Sequence, residues 1–316
     1  MGKLRIGTCS WKYDSWVGLV YQDKRVDYLK EYAIQYDTVE IDQWFWSLFD
    51  NGKPKLPEPG MAECYQYAVP AQFIFSVKIP NSITLTHYYA RGSKMPLAAN
   101  PHFLSPDLFW EFLFWEFLER IEPLGTNLGP LMFQFEYLNK KKMPSQEEFQ
   151  EKLAAFFSRC PKNYDYAVEV RNPYYLNESY FKFLARFRLY HVFVQGYYMP
   201  PIVEIYQKYG HLLKGLVVIR LLGPDRQGIE ERSGGQWNRI VDNRDDELID
   251  IVKISQDMVE RGIEVYVNVN NHYEGSSPLT IQKIRRLLAN STSNRQLNEG
   301  FRERVREIVK QSPTPG

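Results

Sequence analysis

The chain has 316 residues, 44% hydrophobic and 24% charged, which is typical of a globular protein and sufficient for two domains or one large barrel. The formal net charge is +1, so no bulk field favours nucleic acid or an acidic membrane, and any anion site must be a local cluster. The three cysteines form no C-x-x-C pair, which argues against a disulfide framework and indicates a reducing compartment.

The N-terminal segment MGKLRIGTCSW has no long apolar core behind its charges, so we predict no signal peptide. No run of the chain approaches the roughly 18 uninterrupted apolar residues that a membrane-spanning helix requires. These features predict a soluble, cytoplasmic protein without a membrane partner.

Short runs rich in β-branched and aromatic residues recur along the chain, each about as long as a mean strand. Their nearly continuous apolar character is typical of strands covered on both faces, as in parallel sheets. The predicted strands are LRIGTC (4–9), DTVEID (37–42), FIFSVK (73–78), LMFQF (131–135), DYAVEV (165–170), LYHVFV (189–194), LVVIRL (216–221) and EVYVNV (264–269).

Helical patterns fill the intervals between these runs. In PSQEEFQEKLAAFF, Ser145 and Glu148 fit a capping box. A later helix is predicted to begin at an Asn243 cap and to end at Gly262.

The eightfold alternation of strand and helix predicts an α/β fold, specifically a TIM-like (β/α)₈ barrel. A doubly wound open sheet is the alternative, because periodicity alone cannot show that a sheet is closed. Residues 43–72 and 79–130 are longer than a helix requires, which predicts insertions after strands 2 and 3. We expect one barrel domain over residues 1–290 and a polar C-terminal tail over residues 291–316.

The stretch LFWEFLFWEFL (108–118) follows a predicted helix start at Ser105-Pro106 and puts aromatic side chains on most sides of one helix. A helix that is apolar all round needs cover on several faces. We expect the 79–104 insertion to cover it, with a homo-oligomer interface as the alternative. Membrane docking is less favoured because no basic face accompanies the aromatics.

Polar residues fall late in seven of the eight predicted strands. A charge inside a barrel costs several kcal/mol by order of magnitude, except at the C-terminal mouth, which water and ligands reach. The bias therefore predicts a site at that mouth. Its residues are Glu40 and Asp42, Lys78, Gln134, Glu169 and Arg171, Gln195, Arg220, Asn268, and then Asn270, Asn271 and His272.

The side-chain chemistry of this set suggests roles for its members. Glu40 and Glu169 are candidate catalytic acids or bases, and Lys78 is a third candidate catalytic group. Arg171 and Arg220 are predicted to clamp a phosphate or carboxylate. Gln134, Asn268 and Asn270 are predicted to orient the ligand. The alternative is a set of buried ion pairs that only fixes the strands.

Several segments resemble the "domain of unknown function 72" (YecE-like) family. They are IGTCSWKYDSWVGLVY, YDTVEIDQWFW, FIFSVKIPNSITLTH, LGPLMFQF, YAVEVRNPYY and VYVNVNNHYEGSSP, and together they span roughly residues 4 to 288. The resemblance implies a TIM-like barrel and no established reaction. It places motif residues at Glu40, Lys78, Gln134, Glu169, Arg171, Asn270 and Asn271, and it adds Trp11 and Trp16 as the opening aromatics, of which Trp11 is predicted to bind the ligand.

The chain departs from the family pattern at three places. Cys9 and Ser10 stand where the family usually has Ser-Gly, and Asp42 replaces an Asn. Leu222 stands where the family pattern predicts a histidine in Arg-Leu-His-Gly. If that histidine is catalytic in relatives, this chain acts differently or not at all.

Weaker candidates have ordinary structural interpretations. Cys9 is expected to be a small buried thiol, because no activating base is visible in the sequence. His87 and His272 are expected to be loop histidines, with catalysis or metal binding as the less favoured alternative. The Ser233–Gln236 segment is expected to be a flexible loop, although barrels often cradle phosphate after strand 7.

Three functions remain open. The first is an enzyme, with hydrolysis favoured, that acts on a small anionic or sugar-like ligand. The second is a non-catalytic ligand-binding or regulatory barrel. The third is a metal-dependent phosphodiesterase; near-zero net charge makes its nucleic-acid substrate less favoured, and no tight spacing supports a metal set of Glu40, Asp42, Glu169 and His272. The sequence identifies no cofactor.

Overall fold

Eight parallel strands close into a barrel in sequence order. The computed structural model describes residues 2–47, 54–88, 98–105 and 113–290. Each strand pairs with its neighbour in the chain, and β8 pairs with β1, so the predicted barrel is confirmed and the open sheet is wrong. The strands are β1 Leu4–Cys9, β2 Thr38–Ile41, β3 Ile74–Lys78, β4 Leu128–Gln134, β5 Tyr166–Glu169, β6 Tyr190–Gly196, β7 Leu216–Gly223 and β8 Glu264–Val269.

Helices lie between consecutive strands and after β8. They are α1 Tyr28–Gln35, α2 Met61–Ala68, α3 Asn81–Thr84, α4 Phe114–Ile121, α5 Gln146–Arg159, α6 Glu178–Phe187, α7 Ile202–Tyr209, α8 Arg226–Ser233, α9 Asp245–Glu260 and α10 at 277–290. No helix within the described ranges is both long and apolar enough to cross a membrane.

Helix ends follow the predicted capping chemistry with one shift. The Ser145 hydroxyl accepts the backbone N–H of Glu148 at 3.2 Å, as a capping box requires. The Asn243 side chain accepts the N–H of Asp245, the first residue of α9, but Arg244 occupies the N-cap position, so Asn243 lies one residue before the observed cap. Gly262 follows α9 with a φ of +83°, a left-handed conformation that glycine adopts readily.

Two of the strand boundaries that differ from the predicted ones, the start of β4 and the end of β6, involve glycines at which neighbouring backbones approach closely. β4 begins at Leu128, and a Cβ on Gly129 would lie 2.4 Å from the Ile74 side chain on β3. β6 extends to Gly196, where a Cβ would lie 2.1 Å from the carbonyl oxygen of Gly223. Both glycines let neighbouring backbones approach, and the sequence pattern alone does not distinguish this from a strand end.

The middle of the barrel interior is apolar, and polar side chains lie near both ends of the strands. At the N-terminal end, the buried Arg5 on β1 pairs with Asp37 and Glu264. A cluster that includes Met132, Ala167, Val192 and Val218 fills the interior above this pair. The larger apolar core packs between the strands and the surrounding helices. Charged side chains near the upper end therefore rest on an apolar floor.

The aromatic helix is only partly as expected. In α4, Phe114, Phe117, Leu118 and Ile121 are buried, whereas Trp115 is 45% exposed, so this part is not covered on all sides. Phe114 packs against Phe133 on β4. The helix start at Pro106, parts of both insertions and the tail over 291–316 lie outside the described residues, so these details stay predictions.

Candidate functional site

A buried network of charges centred on Arg220 fills the upper end of the barrel interior. The Nε and Nη2 atoms of Arg220 donate to the two carboxylate oxygens of Glu40 at 2.8 and 2.7 Å. Its Nη1 donates to Glu169 at 2.7 Å and to Gln134 at 2.9 Å. Asn268 donates to Glu40 at 3.2 Å and to Ser76 at 3.1 Å. These six residues are called the Arg220 network below.

Strand register explains why residues from six strands meet. Arg220 on β7 is the direct neighbour of Asn268 on β8, and Gln134 on β4 is the neighbour of Glu169 on β5. Side chains alternate between the two faces of a strand, so these late positions share the inward face. The convergence expected from the strand-end bias is therefore present in the geometry.

Arg171 connects this network to the edge of the mouth. Its Nε donates to Glu169 at 2.7 Å, and its Nη2 lies 2.5 Å from the same oxygen. The guanidinium lies over the ring of Tyr197, 5.0 Å from the ring centre. The side chain keeps 16% of its surface exposed, whereas Glu169 is fully buried. Arg171 is therefore a cation of this set that a ligand can approach.

Glu169 is held in its ionised form. Burial would raise its pKa, but the nearby charges of Arg171, Arg220 and Lys78 outweigh burial and lower the pKa to about 2. A carboxylate with this pKa does not exchange protons near neutral pH, so it suits a fixed negative charge better than a general acid or base.

Lys78 is a buried amine with unusual surroundings. It ends β3, is 6% exposed, and its Nζ lies 3.8 Å from the centre of the Phe45 ring. Among the described residues, its Nζ has no hydrogen-bond or ion-pair partner. Burial and the neighbouring Arg220 charge lower its pKa from 10.5 to about 8, despite the opposing effect of Glu40 and other carboxylates. This amine exchanges protons near neutral pH.

Asp42 is the second group with a pKa shifted towards neutral. Burial, followed by the adjacent charge of Glu40, raises the pKa of its carboxyl, and Lys78 opposes the shift only partly. Sequence reasoning placed Asp42 at the mouth but gave it no role in proton transfer. Its position after β2, on the same side as Glu40, was the available signal.

Cys9 and Leu222 form an apolar patch beside the Arg220 network. They cluster with Val194, and the Cys9 thiol donates to Glu40 across 3.4 Å. Burial, and then the charge of Glu40, raise the pKa of the thiol well above its usual value, so it stays protonated. The buried-thiol prediction for Cys9 is confirmed. Leu222, where the family pattern predicts a histidine, supplies only apolar surface here.

The three predicted ligand-binding residues in the loop after β8 form hydrogen bonds with other residues of the protein. Asn270 accepts the backbone N–H of His272 at 2.9 Å, and the His272 Nε2 lies 2.9 Å from Glu230 on α8. Asn271 is buried and accepts both the N–H and the hydroxyl of Ser277 at 2.9 Å. Asn271 thus fixes the start of α10, and the ligand role predicted for these residues stays a prediction.

Trp11 and Ser76 complete the surroundings of the mouth. Trp11 is buried, and its ring edge meets the ring of Tyr65 at 5.2 Å, so its predicted contact with a ligand also stays a prediction. The sequence prediction did not include Ser76. It lies two residues before Lys78 on β3, and the two side chains therefore share the inward face.

Two less favoured site hypotheses gain no support. Within the described ranges, no three His, Cys, Asp or Glu side chains are grouped so that they could hold a metal ion. Gly234 and Gly235 follow α8, and their N–H groups donate to the carbonyls of Glu231 and Glu230. The loop prediction for Ser233–Gln236 is wrong only at Ser233, the last residue of α8, because both glycines lie in the turn that follows. Their N–H groups are bonded to the helix end and are not free to cradle a phosphate.

Comparisons with known proteins agree with the barrel geometry. The model of the family described as "Protein of unknown function DUF72" matches residues 5–303. The fold is similar to that of a DUF72 family protein from Enterococcus faecalis V583, with a TM-score of 0.61 and 19% identity over 91% of this chain and 96% of that chain. A DUF72 family protein from Thermotoga maritima MSB8 gives a TM-score of 0.59 and 18% identity over 92% and 99%. No curated protein matches the chain.

Proposed function

The chain belongs to the DUF72 family of proteins of unknown function. From the geometry of the mouth we propose that it is an enzyme in which Lys78 transfers protons to and from a small anionic or sugar-like substrate. The substrate binds at the C-terminal mouth of the barrel, where TIM-barrel enzymes carry their active sites.

The observation that carries this proposal is the environment of Lys78. A buried amine is normally paired, because desolvation of an isolated ammonium group is costly. Lys78 instead lies against the Phe45 ring, without an ion-pair partner among the described residues, at the end of a barrel strand. Its pKa of about 8 makes both protonation states accessible near neutral pH, which is what acid–base catalysis requires.

The Arg220 network supports this role by fixing the charges around Lys78. Four of the five N–H groups of Arg220 are already donated to Glu40, Glu169 and Gln134. Arg220 therefore positions the carboxylates, and Arg171 is left to hold a substrate anion. This departs from the expectation that both arginines clamp the ligand.

Lyase or isomerase chemistry fits this arrangement best. The neutral Lys78 amine removes a proton from carbon next to a substrate carbonyl and, as the ammonium ion, returns it to the product. Hydrolysis, which the sequence favoured, is the second candidate, because the raised pKa of Asp42 suits a general acid. The non-catalytic barrel keeps one supporting observation, the apolar Leu222 in place of the expected histidine.

The proposal is tested by incubating the full chain with fractions of a small-molecule cell extract and following each compound by mass spectrometry. We expect one compound to be consumed. An isomerase would give a product of the same mass, and a lyase would give two products whose masses add up to that of the substrate. Lys78→Met should keep affinity for that compound while slowing its conversion. A compound that is retained but never converted would support the binding barrel instead and contradict the enzyme. The cytoplasmic location and a homo-oligomer stay predictions.

A further inference from the structure

The Lys78 nitrogen is accessible as well as unpartnered. Lys78 keeps 6% of its surface exposed, and its Nζ has no hydrogen-bond or ion-pair partner among the described residues. Some described side-chain nitrogens and oxygens are both unpartnered and fully enclosed, such as the Oδ1 of Asn268, but the Nζ of Lys78 is not one of them. The exposed part of Lys78 therefore includes the nitrogen itself, and a small molecule that enters the mouth meets it directly.

The surroundings of the amine favour reaction through its lone pair. Burial and the like charge of Arg220 both disfavour the ammonium form of Lys78, and together they outweigh the nearby carboxylates. A lysine that is desolvated or lies next to another cation is a typical enzyme nucleophile towards carbonyl groups. The Phe45 ring covers one side of the Nζ at 3.8 Å; a ring face attracts the ammonium form, but it does not occupy the lone pair of the neutral form. The neutral amine is therefore free to react on the side that Phe45 leaves open.

Asp42 offers the proton that a condensation of this amine with a carbonyl group consumes. The carbonyl oxygen leaves as water in such a reaction, so an acid must protonate it. Burial and the charge of Glu40 raise the pKa of the Asp42 carboxyl, and the charge of Lys78 opposes this shift, so Asp42 and Lys78 are close enough to interact. Asp42 therefore holds a proton at a higher pH than an ordinary aspartate does, and it holds it near the amine.

Arg171 gives the same place a preference for anions. Its Nε donates to Glu169 at 2.7 Å, and the charge of Lys78 acts on the same carboxylate and helps to lower its pKa. The two cationic side chains therefore lie around one buried carboxylate. Arg171 keeps 16% of its side-chain surface exposed, so it is open to a ligand as Lys78 is. A carbonyl compound with a short anionic arm fits both groups, because a guanidinium binds carboxylate and phosphate oxygens well.

We propose that Lys78 forms an imine with a small aldehyde or ketone that carries an anionic group, of which a 2-oxo acid is the simplest kind. The lone pair of the neutral amine attacks the carbonyl carbon and forms the N–C bond. The electron pair of the C=O double bond moves to the oxygen, which takes a proton from the nitrogen. Asp42 then donates its proton to the resulting hydroxyl, water leaves, and the nitrogen lone pair completes the C=N bond of a protonated imine. Attack of water on the imine reverses these steps.

Trapping with cyanoborohydride, which delivers hydride to the C=N bond, tests this inference. The full chain is incubated at pH 7 with the reductant and limiting glyoxylate, and carboxymethylated amines are located by peptide mass spectrometry. We expect Lys78 to be labelled at least about tenfold faster than the α-amino group of the chain, whose ordinary pKa is also about 8. This comparison separates the effect of the site from the amount of neutral amine. A Lys78 label that forms no faster than that of the α-amino group would overturn the proposal.

A pair of arginine variants tests the anionic group. Acetaldehyde is a neutral probe that reacts with amines in the same way as glyoxylate. Arg171→Met should lower the ratio of glyoxylate labelling to acetaldehyde labelling at Lys78 about tenfold. The ratio is compared because removal of Arg171 also changes the charge around Glu169, and with it the amount of neutral amine that both probes meet. Arg186→Met, at an exposed position in the last turn of α6, is the matched control and should leave the ratio unchanged. Equal ratios in the two variants would contradict the role of Arg171.

The inference rests on the proposed function only for the position of the substrate at the mouth. Proton transfer uses the Lys78 lone pair on a hydrogen, whereas imine formation uses it on the carbonyl carbon, so the two results are separable. A compound from the extract that Lys78 converts, together with no preferential glyoxylate label, would refute the imine and leave the proton transfer standing. A preferential label on Lys78 without conversion of any compound would support the imine and count against the enzyme.

Discussion

Replacing Arg220 with methionine is expected to destabilise the protein by about 3–5 kcal/mol at pH 7, because it leaves Glu40 buried without an ion-pair partner and Glu169 paired with Arg171 alone. Glu40 and Glu169 are both fully buried, and Arg220 donates three hydrogen bonds to them in addition to the one to Gln134. Urea unfolding followed by circular dichroism gives the loss as a lower transition midpoint at unchanged slope.

The pH dependence of this loss identifies its cause. The pKa of Glu169 is about 2 in the folded state and about 4.3 in an unfolded chain, so its stabilising contribution exists above the unfolded value and disappears as pH falls towards 2. The deficit of Arg220→Met should therefore be larger at pH 7 than at pH 4. Adding Glu40→Gln and Glu169→Gln to Arg220→Met should recover much of the stability.

Arg232 provides a matched control. Its side chain is 48% exposed, and its nearest carboxylates lie 3.7 and 3.8 Å away. Exposed pairs of this kind contribute about 0–1 kcal/mol, so Arg232→Met should have little effect. If Arg220→Met cost no more than Arg232→Met, the network would not be the structural centre of the mouth.

Replacing Lys78 with methionine is expected to move stability and turnover in opposite directions. The folded pKa of about 8 lies below the ordinary 10.5, so protonation of Lys78 opposes folding at every pH below 8. Removing the amine should stabilise the protein by roughly 3 kcal/mol at pH 7, and this gain should shrink as pH rises from 8 towards 10. The same change should lower turnover about 10²–10⁴-fold, as expected for the loss of a general acid or base.

A purely structural lysine would behave differently. Its replacement by an apolar residue would leave turnover of the substrate found in the extract unchanged, or would lower stability and turnover together. Lys208→Met, at an exposed position on α7, controls for the loss of a positive charge and should affect neither quantity. Unfolding midpoints and initial rates measured on the same preparations distinguish these outcomes.

The position of the site was predictable from sequence because strand alternation and strand direction are local properties. Glu40, Glu169 and Asn268 each fall late in an apolar run, and a parallel barrel leaves one place for such residues. The same pattern predicted that the Arg220 side chain points into the barrel. It also contained Ser76, which shares a face with Lys78 and was overlooked because a serine inside a strand is unremarkable.

The chemistry within the site was not predictable, because it depends on distances across the barrel. The sequence could not show that Arg220 forms ion pairs with both Glu40 and Glu169. Because these pairs occupy its N–H groups, Arg220 has little hydrogen-bonding capacity left for a ligand. The sequence also could not separate the permanently ionised Glu169 from Asp42, whose pKa moves the other way.

The most direct test of the account is the pKa of Lys78 itself. Nζ signals of the chain labelled with ¹⁵N-lysine, assigned by comparison with Lys78→Met, should show that Lys78 titrates near pH 8. A Lys78 signal that titrates near 10.5, the ordinary value for a lysine, would show that the barrel does not tune this amine, and it would contradict the proposed proton transfer.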